Sequence, residues 1–327
     1  MSPVPPAVVV LAAGQGTRMR SALPKVLHEA AGRPLLAHVL RAARALAPAE
    51  LLVVVGHGAD AVRERFADEG ITFVDQPEQR GTGDAVARCA GVLAGHPGPV
   101  VVLSGDGPLL TAESVARLLE AHRDGGAGMT LLTVEAADPR GLGRVVRDAG
   151  GGVRAIVEER DADEATLALR EVNPGSYVFD DRLWGFLDGL DDENAAGELY
   201  LTDLVAAYRR AGLPVRAVRV DDETRELVGV NDRAQLARAD RLLRDRVRRR
   251  WLHDGVTMTD PATVYLDDDV ELARDVRLEP GVVLADATRV GPGATIGAYA
   301  HLSACVVETG AVVAPHTVAR RRRFAVD

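Results

Sequence analysis

The residues best suited to chemistry near the start of the chain are Gly14-Gln15-Gly16-Thr17-Arg18 and, just after Pro24, Lys25. Glycines let backbone N–H groups approach a ligand closely, and a small-residue loop of this kind can cradle phosphate. Lys25 is the only lysine; every other residue among the 39 counted as Lys+Arg is arginine. A lysine is a compact, flexible point charge without arginine's planar fork, which suits a phosphate of changing geometry. A surface lysine left by chance is the alternative. Two familiar phosphate loops are excluded. Met19 stands where a dinucleotide fingerprint needs its third glycine, and no acidic residue ends a second strand about 20 residues on. The Walker pattern is absent.

Further along, Gln76 precedes Gly81-Thr82-Gly83. An amide there can read a base edge as donor and acceptor, and a Gly-Thr-Gly turn lets backbone pack against a flat ring. An ordinary loop with a threonine N-cap is the alternative. Asp106 sits between Gly105 and Gly107 after an apolar run. It is placed either for turn chemistry or to hold a hard cation such as Mg²⁺, which takes one or two carboxylates plus phosphate oxygens and water. His57, between two glycines, has no acid nearby in sequence to orient it and reads as structural.

The elements that must position these residues alternate. Ala7 to Ala13 is an apolar run that reads as a buried parallel strand. Helical spacing covers Pro34 to Leu46 and Ala61 to Phe66. Strands are expected at Leu51 to Val55, Ile71 to Val74, Pro99 to Leu103 and Leu213 to Val220. This alternation predicts a doubly wound parallel sheet, with ligands beyond the carboxyl ends of its strands, where Gly14 lies. Gly128 to Val178 reads as an insertion of β-ribbons lidding the pocket. A helix starts near Val228 to Arg233, with Asn231 as its default N-cap, and Asp232 to Leu252 is arginine-rich with interleaved acids, a solvated connecting helix. From Val264 apolar residues recur every six: Val264, Val270, Val276, Val282; then Leu284, Val290, Ile296, Leu302; then Val306, Val312, Val318. This is the hexapeptide period of a left-handed parallel β-helix of about three coils, ending at Arg320 to Arg323, a charged tail that can cap the prism.

Leu11-Ala12-Ala13-Gly14-x-Gly16-Thr17-Arg18-Met19 followed by Leu23-Pro24-Lys25 resembles the signature of the sugar-nucleotide pyrophosphorylases. Within them the chain is most similar to the bacterial bifunctional N-acetylglucosamine-1-phosphate uridylyltransferase / glucosamine-1-phosphate acetyltransferase family, over residues 7 to 319. Pro139 to Arg144, Ile156 to Ala162, Glu171 to Gly175 and Gly197 to Asp203 resemble further family stretches, the last read as scaffold. Ser104, Gly107, Leu142 and Pro174 depart from them. The resemblance implies Arg18 and Lys25 as catalytic groups on the triphosphate. It implies UTP contacts from Leu11, Ala12, Ala13, Gly14, Lys25, Gln76, Gly81 and Thr82, and sugar-phosphate contacts from Gly143, Glu158 and Asn173. Asp106 and Asn231 would ligate Mg²⁺. The family's acetyl-transfer site is built from later coils, and nothing around His301 or His316 matches it, so that activity is not carried over.

A net charge of −9 and pI near 5.5 argue against a general nucleic-acid binder, and 4% aromatics against base-stacking platforms. Cys89 and Cys305 lack metal-ligand spacing and read as core thiols of a cytoplasmic protein. Neither a secretory leader nor a membrane span is read. The expectation is therefore an α/β Rossmann-like nucleotidyltransferase domain (1–230), a linker helix (231–257) and a short left-handed β-helix (258–327). The expected activity is UTP:N-acetylglucosamine-1-phosphate uridylyl transfer with Mg²⁺, in a homotrimer held by the β-helix. A related enzyme for another base or sugar, and a non-catalytic nucleotide-sugar-binding subunit, stay open; a free-standing acyltransferase is the least favoured.

Overall fold

A computed structural model describes residues 3–220 and 229–326. Val228 and Asp327, included in the expected elements, lie outside the described residues. The chain divides into two compact units. One holds Met1–His28 with Leu35–Gln235, the other Glu29–Pro34 with Leu236–Asp327.

The first unit is built on one sheet. Its strands are β1 (Ala7–Ala12), β4 (Glu50–Val55), β5 (Thr72–Asp75), β6 (Val100–Ser104), β7 (Met129–Glu135), β8 (Gly143–Arg147), β9 (Val153–Val157), β10 (Glu171–Asn173), β11 (Ser176–Phe179) and β12 (Val215–Val220). A hairpin, β2 (Glu29–Ala30) and β3 (Arg33–Pro34), belongs to the second unit. The order is β5-β4-β1-β6-β11-β7-β10-β8-β9, with β12 on β7. The first four strands are parallel, as the unbroken apolar runs predict. Beyond β6 the sheet becomes mixed, because β11 runs antiparallel to β6 and to β7. The Gly128–Val178 stretch is thus not a separate ribbon lid: its strands extend the main sheet, since hairpins on an open edge find backbone partners there.

The helices are α1 (Leu35–Arg44), α2 (Ala59–Arg65), α3 (Thr82–Ala87), α4 (Ala90–Leu93), α5 (Ala112–Gly125), α6 (Glu164–Leu167), α7 (Leu183–Leu187), α8 (Leu204–Arg210) and α9 (Arg233–His253). In the first unit α1, α2 and α5 pack on one face and α3, α4, α7 and α8 on the other. Val8 and Val10 of β1 pack with Leu36 and Leu40 of α1 and Leu118 of α5. Ala7 and Val9 face the opposite cluster with Val86, Leu93, Leu187 and Tyr208. The period of two along β1 decides which layer each residue joins.

In the second unit the β-helix is formed by three four-stranded parallel sheets. Each face therefore carries four rungs, against the three coils expected. The first rung opens at Thr257–Met258, ahead of the first hexad residue Val264, and the last closes at Arg323–Phe324, beyond Val318. The arginine run is part of the last rung, and Arg323 pairs with Glu308 at 2.9 Å. Met258, Leu278, Ile296 and Val313 stack inward on one sheet, and Leu266, Leu284, Leu302 and Ala319 on the next. Val264 to Val282 and Leu284 to Leu302 are two simultaneous inward tracks, two residues apart, rather than one track that shifts. The true shift lies later. Leu284 and Leu302 are eighteen residues apart in register, but Val290 and Val307 are seventeen. The corner of Asp286 and Ala287 has two left-handed residues, whereas the next has Ala304 alone. One residue fewer there puts Val307 and Val313 inward, so the expected track of Val306, Val312 and Val318 is turned outward, Val312 being 74% and Val318 80% exposed. The arginine-rich helix α9 is also not fully solvated: Val247 and Trp251 pack into the β-helix cluster.

Candidate functional site

β1 and β6 end side by side, and the loops that follow them and β5 help to enclose a cleft of about 800 Å³. Its wall includes Leu11, Ala12, Ala13, Gly14, Arg18, Lys25, Gln76, Gly81, Thr82, Asp106, Glu158 and Asn231. Segments from both ends of the first unit are thus brought together, all on the carboxyl side of the parallel strands.

The motif loop owes its path to its glycines. Gly16 adopts φ +61°, and a Cβ there would lie 2.8 Å from Lys25 Cβ. The bare position lets the loop close on the lysine. A Cβ on Gly14 would meet open space, so that glycine leaves room at the cleft wall. Gly105 N donates to Leu11 O at 2.9 Å, extending the β1–β6 ladder and setting Asp106 one residue beyond it. Val230 N donates to Asp106 O at 3.0 Å, which brings Asn231 alongside. Lys25 Nζ lies 2.5 Å from Asp106 Oδ2 and 3.3 Å from Asn231 Oδ1. A carboxylate and an amide carbonyl, 125 positions apart in sequence, therefore address one cation. Asn231 does not cap with its own side chain here; its N–H donates to Gln235 Oε1 at 2.7 Å and Asp232 Oδ1 accepts from Gln235 N at 2.8 Å. Among the described residues no carboxylate pairs with Arg18, whose guanidinium lies beside Gly141.

At the other wall, Gln76 is 3% exposed, and its Nε2 donates to Gly81 O and to Asp84 Oδ2, both at 2.9 Å. Thr82 Oγ1 accepts from Leu201 N at 3.0 Å, and Gly83 N donates to Leu199 O at 2.7 Å. The Gly197–Asp203 stretch, read from sequence as scaffold, does dock α3. It also lines the cleft through Glu198 and Tyr200. The alternation Glu198-Leu199-Tyr200-Leu201, with both leucines turned to backbone partners or core, was the available signal.

Glu158 directly follows β9 and accepts from Thr202 Oγ1 at 3.0 Å. Burial pushes its carboxyl above the usual range; the Thr202 hydrogen bond opposes this, and Asp203, Asp161 and Glu198 add to it. A folded pKa raised above the unfolded one means that the fold binds the proton more tightly. Stability then falls as pH rises from the ordinary carboxylate range through the raised value. Glu158→Gln removes this fall, so its stability relative to the parent should improve as pH rises from about 4.5 to about 7.5 in urea titrations. A constant difference across that range would contradict the burial argument. Tyr200 donates to Asp161 Oδ2 at 3.2 Å, and burial together with that carboxylate pushes its hydroxyl up to about 12.

Gly143 and Asn173 do not line the cleft. Gly143 stands behind Glu158: a Cβ there would lie 3.2 Å from Glu158 Oε1. Asn173 is 8% exposed; its Nδ2 donates to Tyr177 Oη at 2.6 Å and its Oδ1 accepts from Gly175 N at 3.1 Å. Both ends of its amide are thus engaged within the protein. Gln79, Glu159 and Arg160 line the cleft without having been singled out, and Ser104, noted as a departure from the family pattern, lines it too; Gln15 Nε2 reaches Gln79 Oε1 at 3.4 Å. His57 is exposed and is not among the lining residues. No described helix is long and apolar enough to cross a membrane.

Residues 8–171 match the MobA-like NTP transferase domain. The chain is 49% identical over 312 residues to the "Bifunctional protein GlmU" of Thermus thermophilus, covering 95% of this chain and 68% of that protein. It is 50% identical over 315 residues to the protein of the same name from Kineococcus radiotolerans, covering 95% and 64%. With that of Streptomyces avermitilis it shares 46% over 322 residues, covering 97% and 66%. It thus spans about two thirds of the length of these relatives. A phosphate-type glycine loop at the carboxyl ends of parallel strands, a lysine held by two oxygen acceptors and an NTP transferase match over the same strands agree: the chain belongs to the GlmU family of NTP transferases.

Proposed function

We propose that the protein transfers uridylyl from UTP to N-acetylglucosamine 1-phosphate, releasing pyrophosphate. The observation that carries this reading is the convergence of Lys25, Asp106 and Asn231 at one point of a cleft whose opposite wall holds Gln76, Gly81 and Thr82. The first set suits a triphosphate with its cation, the second a base.

Whether the donors fit a metal is tested by Lys25 itself. Its ammonium acts as a stand-in cation on Asp106 Oδ2 and Asn231 Oδ1. Two hard oxygens aimed at one point are the protein share that Mg²⁺ takes beside phosphate oxygens and water. Asp106 and Asn231 would hold Mg²⁺, which when bound neutralises phosphate charge. Lys25 and Arg18 would then hold phosphate oxygens, while the Ala12–Ala13 backbone, Gln76 and Gly81-Thr82 hold the uracil. Glu158 would accept from sugar hydroxyls, with Gly143 giving it room and Asn173 acting from behind the wall. The sugar-phosphate oxygen forms a bond to the α-phosphorus as the α–β oxygen bond breaks, and the electron pair leaves with pyrophosphate. The chain's part is positioning and electrostatic preorganisation. No covalent intermediate on the protein is called for.

A homotrimer through the β-helix goes with this reading. It is supported by one outer sheet on which Tyr265, Val283, His301 and Val318 stand in register, Tyr265 being 50% exposed.

The test is pyrophosphate release with Mg²⁺, crossing UTP, dTTP, CTP, GTP and ATP with N-acetylglucosamine 1-phosphate, glucosamine 1-phosphate and glucose 1-phosphate. A sharp maximum at UTP with N-acetylglucosamine 1-phosphate is expected. A maximum with another sugar keeps the chemistry and moves attention to Ser104, which lines the cleft. No release from folded protein with any pair overturns the proposal.

A further inference from the structure

Asp84 lies outside the cleft wall, yet it holds a residue that forms the wall. It sits in the first turn of α3, 6% exposed. Its Oδ2 accepts from Gln76 Nε2 at 2.9 Å, and its Oδ1 accepts from Arg88 Nε at 3.2 Å and from a terminal nitrogen of Arg88 at 3.1 Å. The second acceptor on Gln76 Nε2 is the carbonyl of Gly81, also at 2.9 Å. A carboxylate and a peptide carbonyl only accept. Both N–H bonds of the Gln76 carboxamide are therefore consumed within the protein, and the usual ambiguity between amide oxygen and nitrogen is removed by chemistry. What Gln76 can still offer to a ligand is its carbonyl oxygen.

We propose that Asp84 is the positioning residue for base choice. By locking Gln76 with its carbonyl as the only available group, it selects a base with a ring N–H donor, as in uracil or thymine. Cytosine presents a ring acceptor at the same position, and the locked carboxamide has no hydrogen to give it. This rests on the uridylyl-transfer reading and names the side chain behind its base preference.

The test is Asp84→Asn, which keeps the shape and replaces one acceptor oxygen by a donor nitrogen. Arg88 requires an acceptor, so it retains the remaining oxygen and the new NH₂ faces Gln76. Two donors then oppose each other and Gln76 Nε2 keeps Gly81 O as its one remaining acceptor, so the lock is lost and one N–H of the carboxamide is released for the base. The preference for UTP over CTP, read as the ratio of their dissociation constants by calorimetry with Mg²⁺ present, should fall at least tenfold, while kcat at saturating UTP stays within about threefold of the parent. Asp84→Ala removes the acceptor without adding a donor and should fall in between; it also serves if the asparagine variant does not fold. In a Gln76→Ala background Asp84→Asn should leave the ratio where Gln76→Ala alone puts it. An unchanged ratio in the single variants, or an equal loss without Gln76, overturns the proposal. A parent protein that binds neither UTP nor CTP would instead overturn the uridylyl reading.

Discussion

Lys25→Ala should cut turnover by about 10²–10³-fold, the range seen when a group aimed at transition-state charge is removed, with folding stability changed by no more than about 1 kcal/mol. The contrast follows from where the side chain sits. Its aliphatic stem packs against Gly16, while its ammonium stands at the cleft on Asp106 and Asn231. The side chains of Lys25 and Asp106 are 16% and 19% exposed, so water can enter where the ammonium leaves, and Asp106 is not stranded in a dry core. Lysine and metal address the same two oxygens, so a loaded site requires the ammonium to move to the phosphates. Lys25→Arg should not restore the rate, because a planar fork cannot follow that change of partner as a point charge does. Steady-state kinetics beside urea denaturation separate the two effects. Turnover within a few-fold of the parent for Lys25→Ala would defeat the functional assignment.

Gly81→Ala is the second large effect, and here stability and binding should fall together. Gly81 has φ +106° and ψ 176°, a region nearly closed to other residues, and an added Cβ would lie 2.5 Å from Leu199 O and 2.7 Å from Leu199 N. Backbone cannot swing aside as a flexible side chain can. Strain and clash together should cost about 2–3 kcal/mol, measured as a lower denaturation midpoint. The contacts through Leu199 would loosen, and with them Glu198 and Tyr200 at the cleft. Gly81 O would also move from Gln76. UTP affinity should therefore drop at least tenfold by calorimetry. An alanine variant with the parent's stability would mean that the turn relaxes at no cost.

The parts of this arrangement that are legible from sequence are those carried by local pattern. The run Ala7 to Ala13 breaking into glycines places a loop at a strand end whatever else the chain does. Asp106 after Val100–Ser104 follows by the same logic. The hexad period of Val264, Val270 and Val276 shows a β-helix because each residue repeats the environment of the last. What escapes depends on contacts between distant segments. The pairing of β11 with β6 turns expected ribbons into sheet, and no feature of Ser176–Phe179 alone announces its neighbour. Asn173 reads as a ligand contact because amides often are, but Tyr177, one short turn away, takes its donor. Asp84 passes for helix-start chemistry, since its partner Gln76 lies across a loop. Val312 and Val318 read as core because valine is as favourable on the outside of a strand as within, and only the coil length decides.

That coil length behaves like a reading frame. Strand residues alternate inward and outward, so a residue lost inside a strand would exchange core for surface in everything that follows within that face. The chain instead loses its residue at the corner of Ala304, between Leu302 and Val307, where backbone turns and no side chain is counted in the alternation. The frame is re-established at once: Val307 stacks on Val290 and Val313 on Ile296. Corners are thus the places at which this unit can change length without changing its core, and the rungs are the places at which it cannot.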